Sequence, residues 1–193
     1  MGFYDVFLVN KEGDILYTGK KEGDLGSNVY RGAYQDTNLA RLVKQILKGE
    51  KTQGFIDFEK YAPSGNKPAA FFAAAISGHE NAIQGVLAAQ LDIQIVEKLL
   101  ADVSSLGKSV KVFLVGSDFM LRGGQQISAN EDILAKKINN RLLDEVIRSS
   151  GVKDELLGAY PGMDGKTVLG AIHAISGLNW YLLGEIDSKD AFA

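Results

Sequence analysis

The sequence predicts an α+β fold of two tandem units, each an antiparallel sheet of about five strands with flanking helices, and three observations carry that expectation. First, Tyr61-x5-Lys67 returns 99 residues later as Tyr160-x5-Lys166, and the run ending Ile76-Ser77-Gly78 returns at the same offset, ending Ile175-Ser176-Gly177. Second, Val86–Asp92 returns as Tyr181–Asp187 at an offset of 95, so the turn before it is four residues shorter in the second copy. Third, Val6-Phe7-Leu8-Val9 returns as Val112-Phe113-Leu114-Val115, each followed by a polar turn and a short second apolar segment. One unit built twice accounts for the 193 residues, with a first unit over 1–105 that includes a connecting helix and a second, smaller unit over 106–193.

The elements follow in order. Tyr4–Asn10 and Ile15–Thr18 are apolar runs joined by the Gly/Asp turn Lys11-Glu12-Gly13-Asp14, a hairpin signal. Lys20–Asp36 is polar and glycine-rich and reads as a long loop across one face of the sheet, a kind of segment that is often functional. Thr37 or Asn38 can cap a helix to about Lys48, with Leu39, Leu42, Val43, Ile46 and Leu47 on one side and Gly49 as its stop. Phe55–Phe58 is a third strand, and Pro68–Ser77 and Ala82–Leu91 are two more, separated by a turn through Gly78–Asn81. From Asp92 to about Leu106, Ile93, Val96, Leu99, Leu100 and Val103 recur at helical spacing. The second unit repeats the plan with strand Val110–Gly116, a helix of roughly Glu131–Ser149 capped at Asn130, and strands Leu156–Tyr160, Lys166–Ile175 and Asn179–Ile186. Asp187–Ala193 reads as the start of another helix.

Composition narrows the function classes. A net charge of −3 offers no clustered basic surface for nucleic acid, and there is no apolar run of the length that spans a bilayer. No cysteine is present, which removes disulfides and thiolate metal sites. The two histidines, His79 and His173, have no ligand-spaced neighbours, so no metal site is expected. Ser64-Gly65-Asn66-Lys67 lacks the spacing and following helix of a phosphate loop. With no nucleophile paired to a base, no catalytic residue and no cofactor is expected, and the one acid/base candidate is Asp57.

A ligand pocket has a clearer basis. Alanine is unusually frequent in the two long strands of the first unit, and where the second has Val168, Leu169 and Leu183 the first has Ala69, Ala70 and Ala88. Buried strands favour large side chains, so this face leaves room against it. Gln90, at the end of a small-residue row, is either a donor and acceptor for a ligand or an amide satisfied by a loop. Tyr61 either bonds a ligand or serves the turn, as its repeat Tyr160 suggests. Asp57, in an apolar strand, is either at a wet edge or aimed at a cation. Tyr30 and Arg31 on the long loop either close over the pocket, with Arg31 suited to a carboxylate, or face solvent. Phe71 and Phe72 point to opposite faces, so one is core and the other lines the cavity; Phe72 is carried with the candidate ligand-binding residues.

Taken in order, YDVFLVNKEGDILYTGKKEGDLGSN, YRGAYQDTNLAR, YAPSGNKPAAFFAAAI, GVLAAQLDIQIVEKLL, VFLVGSDFMLR and DGKTVLGAIHAISGLNWYLLGEIDSKDAFA resemble the double Cache sensor family over nearly the whole chain. These are paired PAS-like domains outside the membrane in methyl-accepting chemotaxis receptors and sensor histidine kinases. The resemblance implies two PAS-like units and a membrane-anchored full-length receptor with an extracytoplasmic, periplasmic or extracellular sensor. It implies a small-molecule ligand (an amino acid, a carboxylate or an amine), and it leaves homodimerisation open. Family members carry a long helix before the first strand, whereas this sequence starts directly on the strand, as an excised part of a receptor would. Amino-acid-sensing members carry an acidic residue on the last strand of the first unit, where this sequence has Gln90, which leaves the amine-binding carboxylate and an amino-acid ligand unsettled. The expected function is a sensor whose first unit binds ligand and relays a change to the membrane; the alternative is a cytoplasmic PAS-like interaction and dimerisation module without a small-molecule ligand.

Overall fold

The structure is a computed structural model that describes residues 2–101, 107, 109–124, 133–138, 141–148, 155–162 and 165–192. The chain divides into two compact units, one up to Ile93 and one from Gln94 onward.

In the first unit, β1 (Phe3–Asn10), β2 (Ile15–Thr18), β3 (Gln53–Tyr61), β4 (Lys67–Ser77) and β5 (Ile83–Leu91) form an antiparallel sheet in the order β2-β1-β5-β4-β3. The β1–β2 turn is held by the Asn10 side chain, which accepts from the Asp14 amide at 2.8 Å and donates to the Asp14 carboxylate at 3.1 Å. Helix α1 (Asn38–Leu47) starts at Thr37, whose hydroxyl accepts from the Ala40 amide at 3.2 Å. It packs on β3, β4 and β5, burying Leu39, Leu42, Val43 and Ile46 against Phe7, Val9, Tyr61, Phe71 and Val86. Burial of this apolar stripe, at about 25 cal/mol per Å² removed from water, is what fixes the helix to one face.

Strand β3 runs well beyond the expected Phe55–Phe58 because it absorbs an extra residue. Its register against β4 slips between Ile56 and Glu59. The carbonyls of Asp57 and, across the gap, Ala69 are bonded instead by the buried Asn38 amide, at 3.0 and 2.7 Å. The alanines do not form one row. Strand alternation puts Ala69, Ala73 and Ala88 in the covered core and Ala70, Ala74 and Ala89 on the reverse of the sheet. That reverse face exposes Val6, Leu8, Phe72, Ile76 and Leu87.

The second unit repeats the sheet as β7-β6-β10-β9-β8, from β6 (Lys111–Gly116), β7 (Leu121–Gly124), β8 (Glu155–Pro161), β9 (Thr167–Ile175) and β10 (Trp180–Asp187). Helix α2 (Ile93–Ala101) precedes it, α3 (Arg141–Arg148) lies on β8 and β9, and α4 (Ser188–Ala191) follows β10. Two helix expectations change. In α2, Leu100 is buried but Leu99 is exposed, so the expected stripe is only partly a packing face, and Val103 lies outside the described residues. The helix expected from Glu131 is not helical over 133–138. There the amide of Leu121 donates to the Lys136 carbonyl at 2.9 Å and that of Ile138 to the Phe119 carbonyl at 2.8 Å, laying the segment beside the β6–β7 turn. Ile133 and Ile138 are buried from this non-helical segment and Leu142, Leu143 and Val146 from α3, and together they imitate one long amphipathic helix. The cap expected at Asn130 lies outside the described residues.

Candidate functional site: a buried acidic cluster under the long loop

The covered face of the first sheet ends in a polar row. In register, Asp5 on β1 stands opposite Gln90 on β5, and Gln90 opposite Phe71 on β4. All three side chains fall on the same face as the core residues Phe7, Ala88 and Ala73. A slip in the β1–β5 register between Phe3 and Asp5 marks a bulge at Tyr4, the kind of local kink that re-aims neighbouring side chains. Asp5 then bonds outward to the loop: its Oδ1 accepts from the amides of Val6 at 2.7 Å and Lys20 at 3.0 Å. Gly19 permits this, because a Cβ there would come within 2.9 Å of that same oxygen.

The loop brings two more carboxylates. Asp24 accepts from the Tyr61 hydroxyl at 2.6 Å, and Tyr61 in turn stands edge-on to Phe71 with ring centroids 4.9 Å apart. Glu22 accepts from Tyr4 at 2.9 Å and from Ser64 at 2.6 Å, so it pins the loop to β1 and to the short turn after β3. The loop is further tied along β2, where the Ile15 amide donates to Ser27 and the Gly26 amide to Ile15, each at 2.9 Å. Tyr61 also lines a narrow crevice, with no room for a water molecule, together with Ile15, Ser27, Asn28, Val29, Tyr34, Thr37, Leu39 and Ala40.

Among the described residues three buried side-chain oxygens have no donor: Asp5 Oδ2, Asp24 Oδ1 and Gln90 Oε1. Their residues are 3, 0 and 4 % exposed. A buried acceptor left unpaired costs about 1–3 kcal/mol, more when it is charged, so each of the three calls for a donor. The electrostatics agree. Burial pushes the Asp24 carboxyl above the usual carboxylate range against the lowering effect of its Tyr61 and backbone bonds, and the charges of Asp5 and Glu22 push it further up. Burial, with Asp24 beside it, also pushes the Tyr61 hydroxyl far up, so it remains a donor. Among the described residues no three His, Cys, Asp or Glu side chains are grouped to hold a metal ion.

Of the residues singled out from sequence, Tyr61 and Gln90 come together here. The other four lie elsewhere. Arg31 is 82 % exposed at its side chain and sits 4.0 Å from Asp14, beside the β1–β2 turn. The Tyr30 ring lies beneath the Lys44 ammonium at 5.9 Å. Asp57 occupies the β3 bulge, its Oδ1 taking the Phe58 amide at 2.7 Å. Phe72 is on the reverse of the sheet, tilted against Phe55 with centroids 4.8 Å apart, while Phe71 is the core partner. Sequence reasoning missed Asp5, Glu22 and Asp24. Asp5 carried a usable signal, a carboxylate in phase with Phe7 and Val9; the loop carboxylates carried none, because nothing local says which loop residues turn inward.

Similar solved structures share this fold at low identity. The ligand-binding domain of the Pseudomonas fluorescens chemoreceptor CtaA in complex with L-leucine is 18% identical, with TM-score 0.60, covering 99% of this chain and 73% of that one. The ligand-binding domain of the Pseudomonas aeruginosa amino-acid chemoreceptor PctC in complex with GABA is 13% identical, with TM-score 0.62, covering 96% and 75%. The extracellular domain rpHK1S-Z16, assigned to a histidine kinase, is 11% identical, with TM-score 0.69, covering 100% and 73%. No curated protein matches the chain. The dCache_1 family model, a Cache domain, matches residues 1–193, and the chain therefore belongs to the Cache family, as an extracytoplasmic, non-catalytic ligand-binding sensor domain of the kind carried by chemoreceptors and histidine kinases.

Proposed function

We propose that the first unit senses a small molecule bearing a protonated amino group, held by Asp5, Asp24 and Gln90, with Tyr61 fixing Asp24 through its hydroxyl. The observation that carries this reading is the set of three buried, donorless oxygens. An ammonium has three N–H donors and a positive charge, which matches three acceptors of which two are carboxylates. The departure at Gln90 is then answered by the strand beside it, where Asp5 supplies a carboxylate in the same row. A ligand recognised mainly through a carboxylate is disfavoured, since Arg31 is turned to Asp14 and the cluster is acidic. CtaA and PctC were solved with L-leucine and GABA, both of which carry an amino group.

The mechanism follows from where the oxygens sit. Asp5 belongs to the sheet and Asp24 to the loop, so a shared ammonium bridges the two and removes their mutual repulsion. Binding therefore favours the loop-down arrangement by the difference in affinity between loop positions, and the receptor relays that difference to the membrane, to a chemotaxis or kinase output. The cytoplasmic interaction module is not needed to explain any of these features. A thermal-shift screen tests the reading, using L-leucine, GABA, n-butylamine and butyrate. A ligand at a hundred times its Kd adds about 2.7 kcal/mol of stability. Stabilisation by amino-bearing compounds and none by butyrate is expected; stabilisation by butyrate alone would sink the assignment.

A pH dependence comes with it. The Asp24 pKa is raised in the folded protein, so the folded chain holds this proton more tightly than the unfolded chain. Its contribution to stability is therefore greatest below the ordinary aspartate range and declines as pH rises through the raised value. An ammonium prefers ionised Asp24, so binding should tighten with rising pH over that same window and release a proton. Titration calorimetry of GABA in two buffers of different ionisation enthalpy reads this directly. Equal heats in both buffers at a pH within the window would contradict it.

A further inference from the structure

The carboxylates at this end of the first sheet are of two kinds. Asp5 and Asp24 each keep one buried oxygen that no donor reaches. Glu22 has each of its oxygens on a protein hydroxyl: Oε1 accepts from Tyr4 at 2.9 Å and Oε2 from Ser64 at 2.6 Å. Glu22 therefore joins chain to chain, whereas Asp5 and Asp24 face inward with a bond still to make.

The two donors to Glu22 flank the strands that carry the rest of the cluster. In the order β2-β1-β5-β4-β3, Tyr4 is on β1 and Ser64 ends the short turn after β3, so β5 with Gln90 and β4 with Phe71 lie between them. Residues Gly19–Asp24 thus form a strap over this end of the sheet. Its near end is bonded to β1 and β2: the Gly19 amide donates to the Val6 carbonyl at 3.1 Å, the Lys20 amide to Asp5 Oδ1 at 3.0 Å and the Lys21 amide to Thr18 Oγ1 at 2.7 Å. Its far end is held through side chains, Glu22 to Ser64 and Asp24 to Tyr61. Between the two ends Lys21 takes φ 55°, a left-handed conformation that a side chain disfavours, so the contacts on either side must hold the turn in place. With the strap down Asp5, Asp24 and Gln90 are buried, and a ligand reaches them only when it lifts.

We propose that Glu22 is the latch of the sensor site: a positioning residue that touches no ligand, holds Asp24 down on the cluster through its bonds to Tyr4 and Ser64, and sets how fast a ligand exchanges. The part about ligand exchange rests on the amine reading of the cluster; the hold on the strap does not. A latch leaves a kinetic mark that a purely structural contact does not. When ligand enters under a lifted strap that then closes, a weaker latch enlarges the open population of the free and of the bound protein alike. Association and dissociation accelerate together and Kd changes little, as long as the closed form stays in the majority.

Three variants test it. Glu22→Ala removes both bonds, and in the ligand-free protein it should speed hydrogen exchange at the bonded amides Lys20, Lys21 and Leu25 by about tenfold or more while leaving those of β4 and β5 unchanged. Stopped-flow tyrosine fluorescence with GABA and with n-butylamine should show both rate constants raised by about tenfold, with Kd within about threefold of the wild type. Tyr4→Phe/Ser64→Ala removes the same bonds from the other side and keeps the Glu22 charge; it should reproduce both effects, and it carries the test should Glu22→Ala not fold. Glu22→Gln is the rescue: its amide donates to one hydroxyl and accepts from the other, so the bonds survive the loss of charge, and exchange and rates should return to within about threefold of the wild type. Unchanged strap exchange in both Glu22→Ala and Tyr4→Phe/Ser64→Ala would overturn the latch. So would a Glu22→Gln protein that behaves as Glu22→Ala does, since the charge would then be what acts, or a weakened Kd with association unaltered, since Glu22 would then belong to the binding surface. Faster strap exchange in the variants of a protein that binds neither probe would uphold the hold on the strap and overturn both the exchange role and the amine reading.

Discussion

Replacing both aspartates, as Asp5→Asn/Asp24→Asn, should weaken binding of the stabilising amine by about 30-fold or more while leaving the unliganded fold at least as stable. The binding loss follows from the cost of removing one member of a buried charge pair, about 2–5 kcal/mol, with each 1.4 kcal/mol worth tenfold. The fold should tolerate the change because asparagine keeps the acceptor that Tyr61 reaches at 2.6 Å and the one that Val6 and Lys20 share. It also removes carboxylates that burial penalises, Asp24 above all. Asp14→Asn is the control. That aspartate is outside the cluster and beside Arg31, and its replacement should leave the affinity unchanged. Calorimetric titration of n-butylamine or GABA into the three proteins gives the answer, and an unchanged affinity in the double variant would remove the acidic cluster from ligand recognition.

The repeat made most of the fold legible, since each unit supported the reading of the other: strand order, the hairpin turns and the Thr37-capped helix all follow from local residues. The first exception was β3, whose length depends on Asn38 bonding the bulge carbonyls, a contact across 19 and 31 residues that no local pattern records. The second was 133–138, where buried isoleucines on a turn and an isolated bridge mimicked helical spacing. For the site, alternation carried Gln90 to the face that the structure covers, while the repeat of Tyr61 at Tyr160 pointed as much to a role in the turn as to a ligand. Asp24 and Glu22 were hidden because a glycine-rich loop has no period; what turns them inward is the tertiary hydrogen bonding of Tyr61, Tyr4 and Ser64. The alanines were read as empty space, but those on the covered face lie in a core shared with Phe7, Phe71 and Tyr61.

Phe71→Ala and Phe72→Ala should separate by several kcal/mol although the two residues are neighbours of identical type. Phe71 is fully buried and touches Phe7 and Tyr61 edge-on, at centroid distances of 5.8 and 4.9 Å, so its removal leaves a cavity at the centre of the first unit. Loss of a buried phenylalanine costs about 3–5 kcal/mol. Phe72 is 36 % exposed on the reverse face, in contact with Phe55, and truncating it should cost about 1 kcal/mol from the aromatic pair and partial burial. Phe71 also sets the position of the Tyr61 ring, so its loss should blunt the response to amine beyond what the stability change explains, whereas Phe72→Ala should respond as the wild type does. Urea unfolding followed by circular dichroism, with and without n-butylamine, measures both effects. Equal midpoints for the two variants would mean that the covered face is not the core of the first unit, and the placement of Gln90 and Asp5 beside Phe71 would fall with it.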